Sequence, residues 1–527
     1  MTLRQKIGQR VAVGFSGTAV NDELRRLVRE YKAGNVILFS DNLKNADQAK
    51  ELCKEIKELI RAETGCAAFI AIDQEGGSVV RLPDDMVNVP GAMALAASGN
   101  AENVSEAAMI TAAELGRIGI NLNLAPVLDI NSARDNPAIG NRSFSPQAEE
   151  AARYAVAAVL AYEEAGLMCC GKHFPGHGDT NIDSHLDLPV VDCGMEELEK
   201  RELVPFKAAI NAGIPAIMTT HILFPRIETE KLPATMSARI LKGLLREKMG
   251  FEGLILSDGM EMKAIETYYG VSQGCVLALT AGVDMVFVCH GSSNIEASLK
   301  EINAAFEKGL FDAGEFDASV KRILRYKERY ADFGNGATGR PLQTQTLDNL
   351  RNRNNILTRK TVACSANSLG AAEMPSLGSK PFFAGCLAYR STVASTAPDS
   401  DLNFSQWFAE RFGGSFAETP VNPNSEDIAA IVSVVPTGMS SATSIVMGSY
   451  NGHLNQGQME LARALFETAK QRGIPFICLA FRNPWDLSFL PEGAYGLALW
   501  EYTEKSFEAA AAAFRGEFVL SGCLPRL

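Results

Sequence analysis

Short apolar runs rich in β-branched residues recur through the first part of the chain, separated by segments of helical period. The runs are VAVGF (11–15), NVILF (35–39), AAFIAID (67–73), INLNLAPVLDI (120–130), LMCCGKHF (167–174), AIMTTHI (216–222), LILSD (254–258) and MVFVC (285–289). Amphipathic stretches lie between them at 46–64, 101–115, 146–164, 195–212 and 237–248. Strands alternating with helices read as parallel βαβ units. Strands that are apolar almost throughout are buried on both faces, as between a barrel interior and a ring of helices. The pattern predicts a (β/α)₈ TIM-type barrel over residues 1–335, with a doubly wound open sheet as the alternative.

Beyond it, ADFGNGATGRPLQTQT is rich in Gly and Thr and predicts a linker at 336–345. Residues 346–527 alternate again. KPFFAGC (380–386), DIAAIVSVV (427–435), SIVMGSY (444–450), PFICLAF (475–481) and GLALWEY (496–502) read as strands. GQMELARALFETAKQRG and EKSFEAAAAAFRG read as helices, each stopping at Gly. A smaller three-layer α/β/α sandwich with a mostly parallel sheet is expected. It contains neither G-x-x-x-x-G-K-[ST] nor G-x-G-x-x-G, so no nucleotide site is implied.

Composition narrows the field. A net charge of −12 without a Lys/Arg-rich run argues against nucleic acid as a partner. No apolar stretch approaches the roughly 18 residues of a membrane span, and the N-terminus lacks a signal-peptide core. The 11 cysteines include no C-x-x-C pair, so neither a zinc ribbon nor a thioredoxin-like site is suggested. Buried, reduced thiols in a cytoplasmic protein are expected.

Chemistry gathers where the barrel strands end. Asp73, Gln74 and Glu75 follow the third strand, Asp129 and Arg142 the fourth, Lys172 and His173 the fifth, His221 the sixth, and Asp258 closes the seventh. In a barrel all of these open onto the C-terminal face, where βα loops build sites. The segment CCGKHFPGHGDTNIDSHLDLP (169–189) holds three histidines and three aspartates around glycines and prolines that exclude a regular helix. His173, His177, His185 and His221 with Asp179 and Asp183 could ligate a metal. However, Phe-Pro-Gly separates His173 from His177, so the two rings need not share a helix face. Acid/base chemistry fits better. Asp183 and His185 stand two residues apart, and an aspartate on one ring nitrogen sets the tautomer and frees the other for proton exchange. Asp258 could cap the following MEMKAIETYY helix, or serve as a nucleophile opposite that imidazole.

KHFPGHGDTNIDSH, IAIDQEGGSVVRL, NRSF and LSDGMEM resemble signature segments of the bacterial β-N-acetylglucosaminidases of glycoside hydrolase family 3. The second part, with AFRNPWDL, resembles the sandwich of two-domain members. The resemblance implies a retaining exo-enzyme that removes terminal β-linked N-acetylglucosamine through a covalent glycosyl-enzyme. Asp258 would be the nucleophile, His185 the general acid/base and Asp183 its dyad partner. Asp73, Arg81, Arg142, Lys172 and His173 would hold the sugar hydroxyls. No metal or organic cofactor is implied. The partner expected is an N-acetylglucosamine-containing oligosaccharide or muropeptide, met in the cytoplasm. Where many relatives carry a larger polar residue, this chain has Gly259.

Two rivals stand beside this reading. A histidine repels incoming phosphate less than a carboxylate does, so phosphorolysis with the same residues is one. A non-catalytic sugar-binding protein is the other. Glu75 is read as orienting an arginine or backbone, and His177 and Asp179 as shaping the loop. His221 is as suited to packing beneath the sugar as to touching it. Glu315 and Asp317 are read as solvated surface, and His453 as part of an ordinary connection. Nothing in the sequence chooses whether the second domain lines the pocket, contacts the aglycone, mediates dimerisation or only stabilises the barrel.

Overall fold

Eight parallel strands pair in chain order and close on themselves in the computed structural model. They are β1 (Val11–Val13), β2 (Asn35–Leu38), β3 (Phe69–Ile72), β4 (Leu122–Asn123), β5 (Met168–Phe174), β6 (Ala216–Thr219), β7 (Leu254–Gly259) and β8 (Met285–Val288). Val11 and Val13 pair with Val286 and Val288, which shuts the ring. The open sheet is thereby excluded. The structure describes the chain except residues 181–182, 332, 334–344, 365–373, 391, 393, 397–400 and 526–527.

The apolar runs close a barrel because their alternate residues serve two cores. Ala12, Ile37, Phe69, Ala71, Leu122 and Met168 belong to the cluster inside the ring. Their chain neighbours Val11, Val13, Val36, Ile70 and Ile72 join the larger cluster beneath the helices. Strand β4 is the shortest of the eight, and Pro126, just beyond it, has no N–H to donate to a ladder. The stretch 195–212 is two helices, Met195–Lys200 and Leu203–Asn211. Restarting at Leu203 places Pro205 in a first turn, where proline is tolerated, and turns Glu202 inward. The segment Arg239–Lys248 is π-helical.

The last barrel helix, Ala313–Tyr330, is followed among described residues by the helix Leu347–Thr361. The expected linker lies outside the described residues except for Gln345. The second domain holds a seven-stranded sheet. Its strands are β9 (Ala363–Cys364), β10 (Pro381–Gly385), β11 (Ser415–Glu418), β12 (Ser444–Ser449), β13 (Phe476–Ala480), β14 (Tyr495–Ala498) and β15 (Gly522–Cys523), in the order β11-β10-β12-β13-β14-β9-β15. Only the β14–β9 pair is antiparallel. Ile445 and Met447 of β12 point into one core and Val446 between them into the other, so both faces are covered. The first of these cores also takes in Met93, Ala94 and Ala97 from the barrel's short helix Ala92–Ala97, which seats the sandwich on the barrel.

One predicted strand is wrong. DIAAIVSVV lies in the helix Ser425–Ser433 and the turn after it. Ile428, Ile431, Val432 and Val435 pack into the core at i, i+3, i+4, i+7, while the alanines between them face outward. Among the described residues, no helix is long and apolar enough to cross a membrane.

Candidate active site

The mouth of the barrel is lined first by a buried quartet of charges. Lys172, near the end of β5, sets its Nζ 2.6 Å from Asp73 Oδ1 and 2.7 Å from Glu75 Oε1, both just past β3. Arg142 grips Glu75 in a fork, Nε to Oε2 at 2.9 Å and an Nη to Oε1 at 2.7 Å. Burial opposes the charge on Glu75, but Arg142 and Lys172 outweigh it and hold the carboxyl well below its usual range. Burial likewise works against Lys172, and Asp73 and Glu75 reverse it. Two cations and two anions cancel, so the cluster stays charged although largely buried. Glu75 thus orients Arg142, as the sequence suggests. Gln74 pins the loop behind it, its Oε1 accepting from the backbone N–H groups of Arg81 and Leu82.

His173 is held from behind. Its Nδ1 lies 2.7 Å from Asp129 Oδ2, and Asp129 also accepts the backbone N–H groups of His173 and His177. With Asp129 ionised, the proton sits on Nδ1 and Nε2 is left for the cavity. This role of Asp129 was not visible in the sequence, which shows only its place after β4. The loop then turns beneath the barrel rim. Gly178 comes so near Ile130 that a Cβ would sit 1.6 Å from its carbonyl oxygen, and Gly176 adopts φ +139°. No other residue fits at 178 without moving the backbone. His177 is buried between the Thr180 and Ser184 hydroxyls, at 2.9 and 3.1 Å, and burial pushes its pKa down to about 4. Asp179 pairs with Arg201. Both residues therefore shape the loop.

At the tip, His185 Nδ1 lies 2.7 Å from Asp183 Oδ1, which also accepts the His185 backbone N–H at 3.0 Å. The Asp183 side chain is 4% exposed and that of His185 25%, so the carboxylate sits inside and the ring faces the cavity. Burial disfavours the Asp183 carboxylate, yet its bond to His185 lowers its pKa overall.

Asp258 closes β7. Its Oδ1 accepts the Gly259 backbone N–H at 2.8 Å, and the next helix, Lys263–Glu266, has Met262 at its cap. The capping role considered for Asp258 is therefore not its structural role. Burial raises the pKa of this carboxyl, but His173, His221 and His185 more than compensate and bring it down to about 2. His221 lies beneath, wholly buried, its Nε2–H donating to the Gly259 carbonyl at 3.0 Å and its Nδ1 against Thr235. It packs under the turn after the strand.

Asp73, Arg81, Arg142, Lys172, His173, His185 and Asp258 line one cavity of about 570 Å³. Asp183 stands directly behind His185. Four wall residues, Arg390, Ala394, Ser395 and Thr396, come from the second domain. Thr396 stitches that loop to the barrel, its hydroxyl donating to the Val80 carbonyl at 2.8 Å and accepting the Val80 N–H at 2.9 Å. Arg81 donates to the Ala394 carbonyl at 2.8 Å. Arg482 supports the loop from behind through the Ser395 hydroxyl. Phe39, Glu261 and His290 also reach the cavity; Glu261 stands in the LSDGMEM segment, whereas Phe39 and His290 carry no sequence signal beyond their position at the end of a strand. Among the described residues, no group of three or more His, Cys, Asp or Glu side chains is arranged to hold a metal ion.

The arrangement sets an ionised carboxylate and an anchored imidazole around one open cavity, the equipment for displacement at a carbon bearing a poor leaving group. Residues 2–326 match the family described as glycosyl hydrolase family 3 N terminal domain. Beta-hexosaminidase A of Pseudoalteromonas piscicida is 31% identical over 367 residues, 62% of this chain and 61% of that protein. A beta-hexosaminidase of Pseudomonas aeruginosa is 35% identical over 286 residues, 54% of this chain and 83% of that protein. A solved glycoside hydrolase family 3 beta-N-acetylglucosaminidase from Paenibacillus sp. is similar over 100% of this chain and 98% of its own, with TM-score 0.88 and 35% identity. With a family match spanning the barrel and a fold shared end to end, the chain belongs to glycosyl hydrolase family 3.

Proposed function

We propose that the protein is a retaining exo-β-N-acetylglucosaminidase. One observation carries the reading: the Asp258 carboxylate, kept ionised down to about pH 2, and the Asp183-anchored His185 line the same cavity. In the first step an Asp258 oxygen bonds to the anomeric carbon as the bond to the aglycone oxygen breaks, and His185 Nε2–H supplies the proton to that oxygen. In the second, the neutral Nε2 takes a proton from water as the water oxygen displaces Asp258. Two inversions retain the configuration. Asp183 keeps Nδ1 protonated throughout, so Nε2 is the atom that exchanges. Asp73, Arg81, Arg142, Lys172 and His173 are proposed to hold the hydroxyls of the terminal sugar, a task suited to charges already fixed against one another.

The substrate reading rests on relatives named as hexosaminidases and on the N-acetylglucosaminidase of the same fold. Muropeptides or chitin fragments are the proposed substrates. A cytoplasmic setting is proposed with them, supported by the free state of the ten cysteines whose side chains are described.

Asp258→Asn tests the assignment. Hydrolysis of an aryl N-acetylglucosaminide should fall by about a thousandfold or more while circular dichroism shows the fold intact. Retained hydrolysis would refute the nucleophile. The parent enzyme, assayed with millimolar phosphate, should release free N-acetylglucosamine; the 1-phosphate as product would make it a phosphorylase.

A further inference from the structure

The turn that carries His185 is tied down by a contact outside the residues assigned above. The Asp183 carbonyl accepts the backbone N–H groups of Leu186 at 2.9 Å and Asp187 at 3.3 Å, while its carboxylate holds the His185 ring. Residues 183–187 therefore form one hydrogen-bonded unit with the imidazole on it. At the far side of that unit, Asp187 Oδ1 accepts the Tyr268 hydroxyl at 2.6 Å.

Tyr268 lies ten residues beyond Asp258, past the helix Lys263–Glu266. On the same stretch the Ala264 N–H donates to the Ser184 carbonyl at 3.4 Å. The turn bearing the imidazole thus docks at two points on the segment that leaves the nucleophile. Among the described residues, the loop is also tied by His177 to the Ser184 hydroxyl, by Asp179 to Arg201, and by the pairing of Leu223 with Pro189 and Val191, but none of these reaches the far side of the turn at Asp187. Tyr268 itself is 55% exposed, and its neighbour Tyr269 is the one that packs on the core. A bond this exposed contributes little to folding. It does restrict where the turn rests, and small displacements of a proton donor weigh heavily on catalysis.

We propose that Tyr268 is a positioning residue, its hydroxyl latching Asp187 so that His185 is held over the bond that Asp258 attacks. The proposal rests on His185 being the acid/base, and the test separates the two. Tyr268→Phe and Asp187→Ala each remove the latch, whereas Asp187→Asn keeps an acceptor oxygen. kcat/KM is measured on N,N′-diacetylchitobiose, whose leaving group needs a proton, and on a 2,4-dinitrophenyl N-acetylglucosaminide, whose leaving group does not.

Tyr268→Phe and Asp187→Ala should lose about fivefold or more on the disaccharide and less than about twofold on the aryl glycoside, without a change in melting temperature. The double variant should be no worse than either single, and Asp187→Asn should retain most of the parent's value. On the aryl glycoside the loss should appear instead in kcat, through the second step that needs a base, and azide should restore kcat by giving the glycosyl azide, because its attack needs no base. His185→Ala is the control. If it lacks this leaving-group dependence, the acid/base assignment falls. If His185→Ala shows it and Tyr268→Phe matches the parent, or loses equally on both substrates, the latch alone is overturned.

Discussion

Two carboxylates near the site show how neighbours, more than residue type, decide what a side chain does. Glu75 and Glu202 are both almost fully shielded, yet their acidities move in opposite directions. Glu75 has Arg142 and Lys172 on its oxygens and stays ionised. Glu75→Gln would leave those cations partly uncompensated, and removing one member of a buried pair costs about 3–5 kcal/mol. A lower melting temperature together with a raised KM is expected, read by thermal unfolding and steady-state kinetics. In Glu202, burial lifts the pKa from 4.5 to about 7 despite the pull of Arg201 at 2.9 Å, and Oε2 has no hydrogen-bond partner among the described residues. Between those pH values the folded chain binds the proton more tightly than the unfolded one. The benefit is therefore complete below about pH 4.5 and is lost as pH rises through 7. Glu202→Gln should match the parent at pH 4 and exceed it by roughly 2–3 kcal/mol at pH 8, as denaturant titrations at the two pH values would show.

At the scale of elements, the barrel was legible and the sandwich less so. The eight apolar runs lead to β1 through β8 because short β-branched runs alternating with helical segments mark strands buried on both faces, although such runs show no period of their own. The run 427–435 misled for the same reason: nine mostly apolar residues carry no periodic mark when the outward positions are alanine. The marker lies upstream. Asn424 accepts the N–H groups of Glu426 and Asp427 at 2.8 and 3.0 Å, and Asp427 returns a bond to the Asn424 N–H at 3.0 Å. This reciprocal cap starts a helix. Asn424→Ala should cost about 1 kcal/mol of stability and leave kcat/KM unchanged, measured by denaturant unfolding and activity. Strand β11 escaped notice because its residues are largely exposed and bear no alternation.

Across the whole molecule, the second domain completes the pocket. Thr396 and Ala394 reach the barrel through Val80 and Arg81, and Glu501 accepts the Gly91 N–H at 3.0 Å on the same side. Thr396→Val removes both hydroxyl bonds to Val80 and loosens the wall without touching Asp258 or His185. KM should rise about three- to tenfold with kcat within about twofold of the parent, the pattern of lost binding shared by ground and transition states.

The sequence alone determined the strand-helix alternation, the convergence of polar groups at one end of a barrel and the Asp183–His185 pair, because each is written in local spacing. Only the folded chain decided that Asp129 backs His173, that Glu75 binds Arg142 and Lys172, and that a loop some three hundred residues from Val80 walls the cavity. Those contacts join residues far apart in the chain, and a hydrogen bond between distant segments leaves no periodicity in either of them.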